Sequence, residues 1–276
     1  MSILVTGGAG YIGAHVVRLL EERGEKVIVV DDLSTGSADR IGGAELVEVD
    51  LASDLAYPLL TQTMASQGVE AVIHFAAKKQ VGESVQRPAM YYHQNVGGLA
   101  NLLRAMHDAG VREMIFSSSA AVYGLPDVAM VPEDVQKAPI NPYGQTKLIG
   151  EWMMRDCGIA WGLKSVALRY FNAAGAGRTD LKDPAALNLV PIVLDRLRAG
   201  EDPVVFGDDY DTADGTCVRD YIHVMDLANA HLLALDGMRQ GKTRHSEYNV
   251  GTGEGSSVFE VLDGVRELAG WDFGHR

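Results

Sequence analysis

Ile3-Leu4-Val5-Thr6-Gly7-Gly8-Ala9-Gly10-Tyr11-Ile12-Gly13 is the stretch that decides the fold of this 276-residue chain. A β-branched apolar run stops at a cluster of glycines, and an amphipathic segment continues to Gly24, which predicts a buried strand, a tight turn and a helix. Glycines at positions 7, 10 and 13 let backbone N–H groups approach an anion and let the helix pack closely on the strand. This spacing indicates a dinucleotide pyrophosphate site, although glycines also serve ordinary turns.

The composition is typical of a globular cytoplasmic protein. With 47% hydrophobic residues, the chain can build the core of one large domain, or of a domain with a smaller lobe. A net charge of −13 without a basic block makes nucleic acid and anionic membranes poor partners. We find no signal-peptide pattern and no apolar run near the roughly 20 residues of a membrane span. Cys157 and Cys217 are too few for a disulfide framework or a zinc site, so no metal is expected.

Apolar runs alternate with helical segments through the first part of the chain. After the first strand, we predict strands at 26–30, 46–49, 71–75, 114–117 and 164–169, with helices that contain 95–107 and 143–157. This alternation predicts the α/β class, with a Rossmann-like doubly wound parallel sheet. Ligands of such sheets lie beyond the carboxyl ends of the strands, where every motif discussed here falls.

The residues at these strand ends suit a nucleotide. Asp31, about 20 residues beyond the glycines, is placed to bond the adenosine ribose hydroxyls. Its charge would repel a 2′-phosphate, so NAD is favoured over NADP; a strand-end cap is the alternative role. Asp50 can accept a hydrogen bond from the adenine amino group. The small residues Ala76 and Ala77 allow a flat cofactor to approach the backbone.

The pattern loosens from about Asn172 onward. We therefore predict an NAD-binding domain over 1–171 and, over 172–276, mainly a substrate-binding lobe of which part returns to the first domain. Within this lobe the sequence indicates a loop at 180–187, helices at 190–199 and 225–238, and strands at 203–206 and 221–224. The acidic stretch 208–215 lacks the spacing and closing Glu of an EF-hand, so we expect a solvated loop.

Three side chains form a candidate catalytic set. Ser119 lies at the end of the fifth strand, and Tyr143 and Lys147, at i and i+4, share one helix face. A neighbouring ammonium and a cationic nicotinamide would each favour the phenolate and lower the tyrosine pKa from about 10. Such a tyrosine can take the proton of a sugar or alcohol hydroxyl while hydride leaves the same carbon, and Ser119 can bond the same oxygen. An ordinary helix pair is the alternative.

Longer segments carry a resemblance to the extended short-chain dehydrogenases/reductases, and among them to the UDP-glucose (UDP-galactose) 4-epimerase family. The matching segments are T-G-G-A-G-Y-I-G (6–13), H-F-A-A-K-K-Q-V-G-E-S (74–84), S-S-S-A-A-V-Y-G (117–124), P-Y-G-Q-T-K (142–147), R-Y-F-N-A-A-G-A (169–176) and D-G-T-C-V-R-D-Y-I-H-V-M-D-L-A (214–228). They cover essentially the whole chain, and the last three are far more specific than the glycine loop. The resemblance implies NAD as a resident cofactor, a UDP-sugar substrate and a homodimer formed through sheet-flanking helices.

The resemblance also assigns roles to single residues. Tyr143 matches the catalytic base, Lys147 its activating partner and Ser119 the hydroxyl that shares the substrate O4. Tyr143 and Lys147 also match cofactor contacts, together with Gly7, Gly10, Tyr11, Ile12, Gly13, Asp31, Asp50, Leu51, Phe75, Ala76, Ala77, Lys79, Asn95 and Tyr170. The UDP-sugar pocket matches Ser119, Asn172, Asn188, Leu189, Val204, Phe206 and Arg219. Lys78 receives no role.

Chemistry agrees with two of these assignments. Arg219 can pair with a diphosphate oxygen, and Phe206 can pack on uracil. The alternatives are a surface pair of Arg219 with Asp220 and plain core packing of Phe206.

The implied activity is NAD-dependent 4-epimerisation of a UDP-hexose, from UDP-galactose to UDP-glucose, through a 4-keto intermediate. Alternatives are an epimerase for a UDP-N-acetylhexosamine or UDP-pentose, a nucleotide-sugar oxidoreductase or dehydratase, and an NAD-binding regulator without activity. Dehydration is disfavoured because Ala120 and Ala121 stand where 4,6-dehydratases of this fold carry an Asp-Glu pair. The family continues beyond Arg276, so we expect the second lobe to be incomplete, without an Arg and an Asp for the nucleotide and a residue that gates bulky sugar substituents.

Overall fold

β1, the strand before the glycine cluster, lies inside a seven-stranded sheet of strand order β3-β2-β1-β4-β5-β6-β9. The computed structural model describes residues 1–128, 130–184 and 188–275. All six strand pairs of this sheet are parallel. The strands are β1 (Ser2–Thr6), β2 (Lys26–Asp31), β3 (Glu45–Glu48), β4 (Ala71–His74), β5 (Glu113–Ser117), β6 (Lys164–Tyr170) and β9 (Glu247–Val250).

Helices cover both faces of this sheet. Successive strand residues point to opposite sides, and both sets are apolar, so each face needs a helical layer. Leu4 faces a core that includes Leu60, Leu102 and Met154, whereas its neighbours Ile3 and Val5 face a second core. The first core involves α2 (Ala56–Gln67), α5 (Gly98–Ala109) and α6 (Pro142–Trp161), and the second involves α1 (Tyr11–Glu22) and α8 (Val224–Arg239). The prediction of an α/β fold with a doubly wound parallel sheet is confirmed.

Strand order decides where a ligand can enter. The chain runs outward from β1 to β2 and β3, then returns to β4 on the other side of β1 and continues to β5 and β6. The connections after β1 and β4 therefore leave in opposite directions and open a crevice at the carboxyl ends of these strands. The glycine cluster follows β1 directly, so it lies at this crevice.

A second, three-stranded sheet has the order β10-β8-β7. It contains β7 (Asn172–Ala174), β8 (Val218–His223) and β10 (Gly255–Ser257), with α7 (Leu189–Arg198) and α9 (Val258–Ala269) in the same part of the sequence. The short helices α3 (Val81–Gln86) and α4 (Pro88–Tyr91) follow β4. β9 and α8 belong instead to the large sheet and its helical layer. The domain boundary after residue 171 stays a prediction.

Two local predictions in this lobe need comment. The predicted strand at 203–206 is wrong, because these residues form an irregular segment. Pro203 has no N–H to donate to a strand ladder, and Phe206 is 85% exposed, so the segment lacks the pairing and burial that a strand requires. In the predicted loop at 180–187, a 3₁₀ turn (Thr179–Leu181) occupies the start, and residues 185–187 lie outside the described residues.

No helix in the described ranges is both long and apolar enough to cross a membrane.

The close packing of the glycine loop can be tested by a single methyl group. A Cβ atom at Gly13 would lie 2.2 Å from the Gly7 carbonyl oxygen, whereas one at Gly264, in α9, would have no atom within 4 Å. We expect Gly13→Ala to lower the free energy of unfolding by about 1–3 kcal/mol. Gly264→Ala, the control, should raise it by up to about 1 kcal/mol. Urea denaturation measures both; equal effects would contradict the packing argument.

Candidate active site

The crevice contains a cavity of about 410 Å³ at the carboxyl ends of the parallel strands. The structure brings together there all the residues predicted to contact the cofactor: Gly7, Gly10, Tyr11, Ile12, Gly13, Asp31, Asp50, Leu51, Phe75, Ala76, Ala77, Lys79, Asn95, Tyr143, Lys147 and Tyr170. Ser119, Asn172 and Asn188, from the predicted substrate set, line the same cavity. One pocket thus joins the glycine loop to the candidate catalytic side chains.

The glycine loop has the properties of an anion site. Gly10 is the N-cap of α1, and no side chain caps this end of the helix or places an acidic group in its first turn. The free N–H groups and the positive end of the helix dipole therefore face the cavity. Gly7 adopts a φ of +70°, and a Cβ atom there would lie 2.6 Å from the Ala76 nitrogen. These features fit the pyrophosphate of a dinucleotide.

Asp31 ties the end of β2 to the glycine loop. Its Oδ2 accepts a hydrogen bond from the Ala9 N–H and its Oδ1 accepts one from the Leu33 N–H, both at 2.9 Å. Burial raises the pKa of this carboxyl, and these two hydrogen bonds only partly offset the effect. Each carboxylate oxygen has a further lone pair, so the group fits the hydroxyls of a ribose.

The local sequence determines where Tyr143 and Ser119 lie. Asn141 caps α6 by accepting the Gly144 N–H at 2.8 Å, and Pro142 occupies the first turn, which puts Tyr143 at the start of the helix. Ser119 follows β5 and accepts the Ala121 N–H at 3.2 Å. Burial raises the pKa of the Tyr143 phenol, and a hydrogen bond with Ser119 lowers it to a smaller extent. The chain alone therefore does not produce the lowered tyrosine pKa expected from the sequence.

The ammonium group of Lys147 lies near the Tyr143 ring. Nζ donates to the Ser117 carbonyl oxygen at 2.7 Å and lies 6.0 Å from the centre of the Tyr143 ring. Burial lowers the pKa of Lys147 to about 8, although the charge of Glu151 acts in the opposite direction. A lysine with this pKa changes protonation state close to physiological pH.

A buried ion pair that we did not predict supports the end of β5. Arg169 Nε and Nη2 donate to the two carboxylate oxygens of Glu151, at 2.9 and 2.7 Å. Ser118 Oγ donates to the same carboxylate at 2.6 Å, and Arg169 Nη1 donates to Tyr123 Oη at 2.8 Å. Ser118 lies between the Lys147 acceptor Ser117 and Ser119. An arginine directly after the apolar run 166–168 of β6 was the available signal in the sequence.

Asn95 connects the loop after β4 to the catalytic helix. Its Oδ1 accepts the Lys78 N–H at 2.8 Å, and its Nδ2 donates to the Lys78 carbonyl and to Thr146 Oγ1, both at 3.0 Å. Thr146 Oγ1 in turn donates to the Tyr143 carbonyl at 2.7 Å. Asn95 lies in a π-helical segment (Tyr92–Gly97), a distortion often found at functional sites.

Four residues of the predicted UDP-sugar pocket do not line this cavity: Leu189, Val204, Phe206 and Arg219. The Arg219 guanidinium is exposed and donates to the Val218 carbonyl at 2.8 Å. Asp220, its alternative partner, instead accepts hydrogen bonds from the Thr252 and Gly253 N–H groups. The roles of these four residues stay predictions.

Sequence reasoning missed Asp32, Ser34 and Lys78, which also line the cavity. The signal was available, since each lies within a few residues of a strand end. Within the described part of the chain, no group of three His, Cys, Asp or Glu side chains could hold a metal ion.

The chain is similar to known proteins of one family. A model of the NAD dependent epimerase/dehydratase family matches residues 3–251. A UDP-glucose 4-epimerase of Azospirillum brasilense is 47% identical over 273 residues, which cover 97% of this chain and 77% of that protein. A UDP-glucose 4-epimerase from Brucella ovis, crystallised in complex with NAD, is 42% identical with a TM-score of 0.92, over 100% of this chain and 85% of that one.

A third comparison concerns a ligand. The UDP-glucose 4-epimerase of Stenotrophomonas maltophila, solved with bound NAD and formylated UDP-arabinopyranose, is 41% identical, with a TM-score of 0.92. The alignment covers 100% of this chain and 85% of that chain.

The buried ion pair generates a stability prediction. The Arg169 and Glu151 side chains are 3% and 4% exposed, whereas those of Arg155 and Asp156 are 64% and 68% exposed. Glu151→Gln leaves a buried guanidinium without its counter-charge, so we expect a loss of about 3–5 kcal/mol of unfolding free energy. Asp156→Asn, the matched control, should change it by less than about 0.5 kcal/mol. Chemical denaturation that gives similar values for both would contradict the assigned energetics.

The pKa of Lys147 generates a pH prediction. In the unfolded chain a lysine titrates near pH ~10.4. The folded-state pKa is about 8. Between pH ~8 and pH ~10.4, the unfolded chain therefore binds one proton at this lysine that the folded chain has released. The cost of burying the ammonium is complete below pH ~8, and the free energy of unfolding should rise by about 1.4 kcal/mol per pH unit within this window.

The Lys147→Met variant has no titratable group at this position. The unfolding free energy of the original protein relative to Lys147→Met should therefore increase from pH ~8 to pH ~9.5, as measured by urea denaturation. The exposed Lys164 provides the control, because Lys164→Met should show a pH profile parallel to that of the original protein. A parallel profile for Lys147→Met would contradict the prediction.

Proposed function

Because this chain belongs to the NAD dependent epimerase/dehydratase family, we propose that it catalyses the NAD-dependent 4-epimerisation of a UDP-hexose, interconverting UDP-galactose and UDP-glucose. The observation that carries the proposal is the convergence of Ser119, Tyr143 and Lys147 with the glycine loop in one cavity. The enzyme is then an isomerase that works through a 4-keto sugar.

The chain offers groups for the pyrophosphate and for the adenosine ribose of the cofactor. The N–H groups at the start of α1 hold the pyrophosphate, and Asp31 accepts hydrogen bonds from the adenosine ribose. The Asp31 charge disfavours a 2′-phosphate, which supports NAD. A bound NAD would supply the acceptor for the hydride of the sugar C4 and, later, its donor.

Tyr143 and Ser119 handle the proton in this mechanism. Tyr143 Oη takes the proton from the sugar O4 as C4 is oxidised, and it gives the proton back after the sugar has turned over in the pocket. Ser119 Oγ forms a hydrogen bond with the same O4 oxygen. Burial raises the pKa of Tyr143, so the phenolate requires a nearby positive charge. The protonated Lys147 and the nicotinamide ring are the two cations assigned to this task.

The substrate contacts remain proposals at the level of single residues. Asn172 and Asn188 line the cavity and offer amide groups to the UDP-sugar. We assign the rest of the pocket to Leu189, Val204, Phe206 and Arg219, of which the exposed Phe206 ring is free to pack on uracil. This division makes 1–171 the NAD domain and 172–276 mainly the UDP-sugar lobe.

We further propose a cytoplasmic homodimer. Trp152 and Ile159 are exposed and lie seven residues apart on α6, so they share a face of this sheet-flanking helix and can pair with a second copy. The two cysteines, Cys157 and Cys217, are free, as is typical of a reducing compartment.

Product analysis tests the proposal directly. Purified protein supplied with NAD and UDP-galactose should form UDP-glucose without accumulating NADH. Tyr143→Phe should lower kcat by about 10²–10⁴-fold while the protein still binds NAD, because only the proton acceptor is lost. Tyr57→Phe, which removes a hydroxyl outside the cavity, is the control and should retain full activity.

Other products would favour the alternatives. Accumulating NADH or a released 4-keto sugar would indicate an oxidoreductase or a dehydratase. Turnover of UDP-N-acetylhexosamines or UDP-pentoses alone would indicate another epimerase. NAD binding without any turnover would indicate a regulator and would overturn the proposed activity.

A further inference from the structure

Lys78 makes a contact across the cofactor cavity that the reaction does not require. Its Nζ donates to Ser34 Oγ at 2.8 Å and lies 3.5 Å from Asp32 Oδ2. Ser34 Oγ donates in turn to Asp32 Oδ1 at 2.6 Å. The three side chains therefore form a continuous bridge between the loop after β4 and the loop after β2.

The position of this bridge follows from the strand order. β1 lies between β2 and β4, so the bridge must cross the carboxyl end of β1, where the glycine loop begins. Strands two places apart are separated by roughly 10 Å, a distance that a lysine side chain and a serine hydroxyl can span together. Lys78, Ser34 and Asp32 all line the cavity. A dinucleotide on the glycine loop would therefore lie beside the bridge.

Both ends of the bridge are held in place. Asn95 hydrogen-bonds the N–H and the carbonyl of Lys78, which fixes the backbone from which this side chain extends. At the other end, the Ser34 N–H donates to Asp32 Oδ1 at 3.0 Å. Burial raises the pKa of the Asp32 carboxyl, but hydrogen bonds from Ser34 and the charge of Lys78 outweigh it, so this pKa is lowered. The carboxylate thus remains charged at neutral pH.

We propose that the Lys78–Ser34–Asp32 bridge is a strap that lies beside bound NAD, holds the two loops of the crevice together and controls how fast the cofactor leaves. The inference rests on the proposed function, because it takes NAD as the ligand of the glycine loop. Departure of the cofactor requires the strap to open, which breaks one charge-assisted hydrogen bond and one ion pair. Because the Lys78 and Asp32 side chains are 29% and 32% exposed, salt should weaken the strap.

The dissociation rate of the cofactor tests this proposal. Protein loaded with NADH is mixed with a large excess of NAD, and the loss of bound-NADH fluorescence gives the rate constant. Lys78→Met keeps the aliphatic stem and removes the charge, so we expect dissociation about tenfold faster, the equivalent of one charge-assisted hydrogen bond. Ser34→Ala leaves the ion pair and should accelerate dissociation about threefold. Lys242→Met, an exposed lysine outside the cavity, should leave the rate unchanged.

Two further measurements separate the strap from other roles. In the double variant the rate should not exceed that of Lys78→Met, because both substitutions open the same bridge. Raising the salt concentration from about 0.05 to about 0.5 M should accelerate dissociation from the original protein much more than from Lys78→Met.

Three outcomes would overturn the proposal. An unchanged rate for Lys78→Met would show that the bridge does not hold the cofactor. A faster rate for Lys78→Met with no effect of Ser34→Ala would place Lys78 directly on the cofactor instead of in a bridge. Failure of the unmodified protein to bind NADH would overturn the proposed function as well, whereas the first two outcomes leave that function intact.

Discussion

The contact between the glycine loop and the end of β4 is the constraint on which the site depends. Gly7 lies so close to Ala76, and Gly13 so close to the Gly7 carbonyl, that a Cβ atom at either position would force its neighbours to shift. This contact sets the direction in which α1 leaves the sheet and aims its free N–H groups at the crevice. The positions of Asp31, Ala76 and the cavity between them follow from it, since each belongs to a strand paired with β1 or to the strand's continuation.

A second constraint acts on the strand end that carries Ser119. Glu151, Arg169 and Ser118 form a buried network in which the ion pair is bidentate and the serine hydroxyl satisfies a further carboxylate lone pair. Replacing such a network with apolar residues can leave stability unchanged, so its presence points to a positional task. Here the network holds Ser118, and Ser118 separates the carbonyl that binds Lys147 from the hydroxyl at Ser119. The network therefore helps to fix the strand end that carries the Ser117 carbonyl and Ser119.

Much of the fold was predictable, because strand runs, glycines and helix caps are local signals. The residues at strand ends could also be assigned to one cavity, because parallel strands bring their carboxyl ends to one edge of the sheet. The segment 203–206 could not be predicted, because a short apolar run becomes a strand only with a partner. The Glu151–Arg169 pair and the Lys78 bridge join residues 18 and 44 or more positions apart, so only the tertiary structure reveals them.

The sequence predicts a lowered pKa for Tyr143, whereas burial raises this pKa in the folded chain. The physical reason for the difference bears on the reaction. Sequence spacing identifies Lys147 as a neighbour but does not measure desolvation, and in the folded chain desolvation dominates for both groups. The tyrosine thus resists ionisation, and burial weakens the hold of Lys147 on its proton, although a pKa of about 8 leaves this lysine mostly protonated at pH ~7. A bound, cationic nicotinamide near Tyr143 would favour the phenolate, and this would couple cofactor binding to proton abstraction. Such coupling would make retention of the cofactor an advantage under the proposed mechanism, because the charge of the nicotinamide would help to form the proposed base.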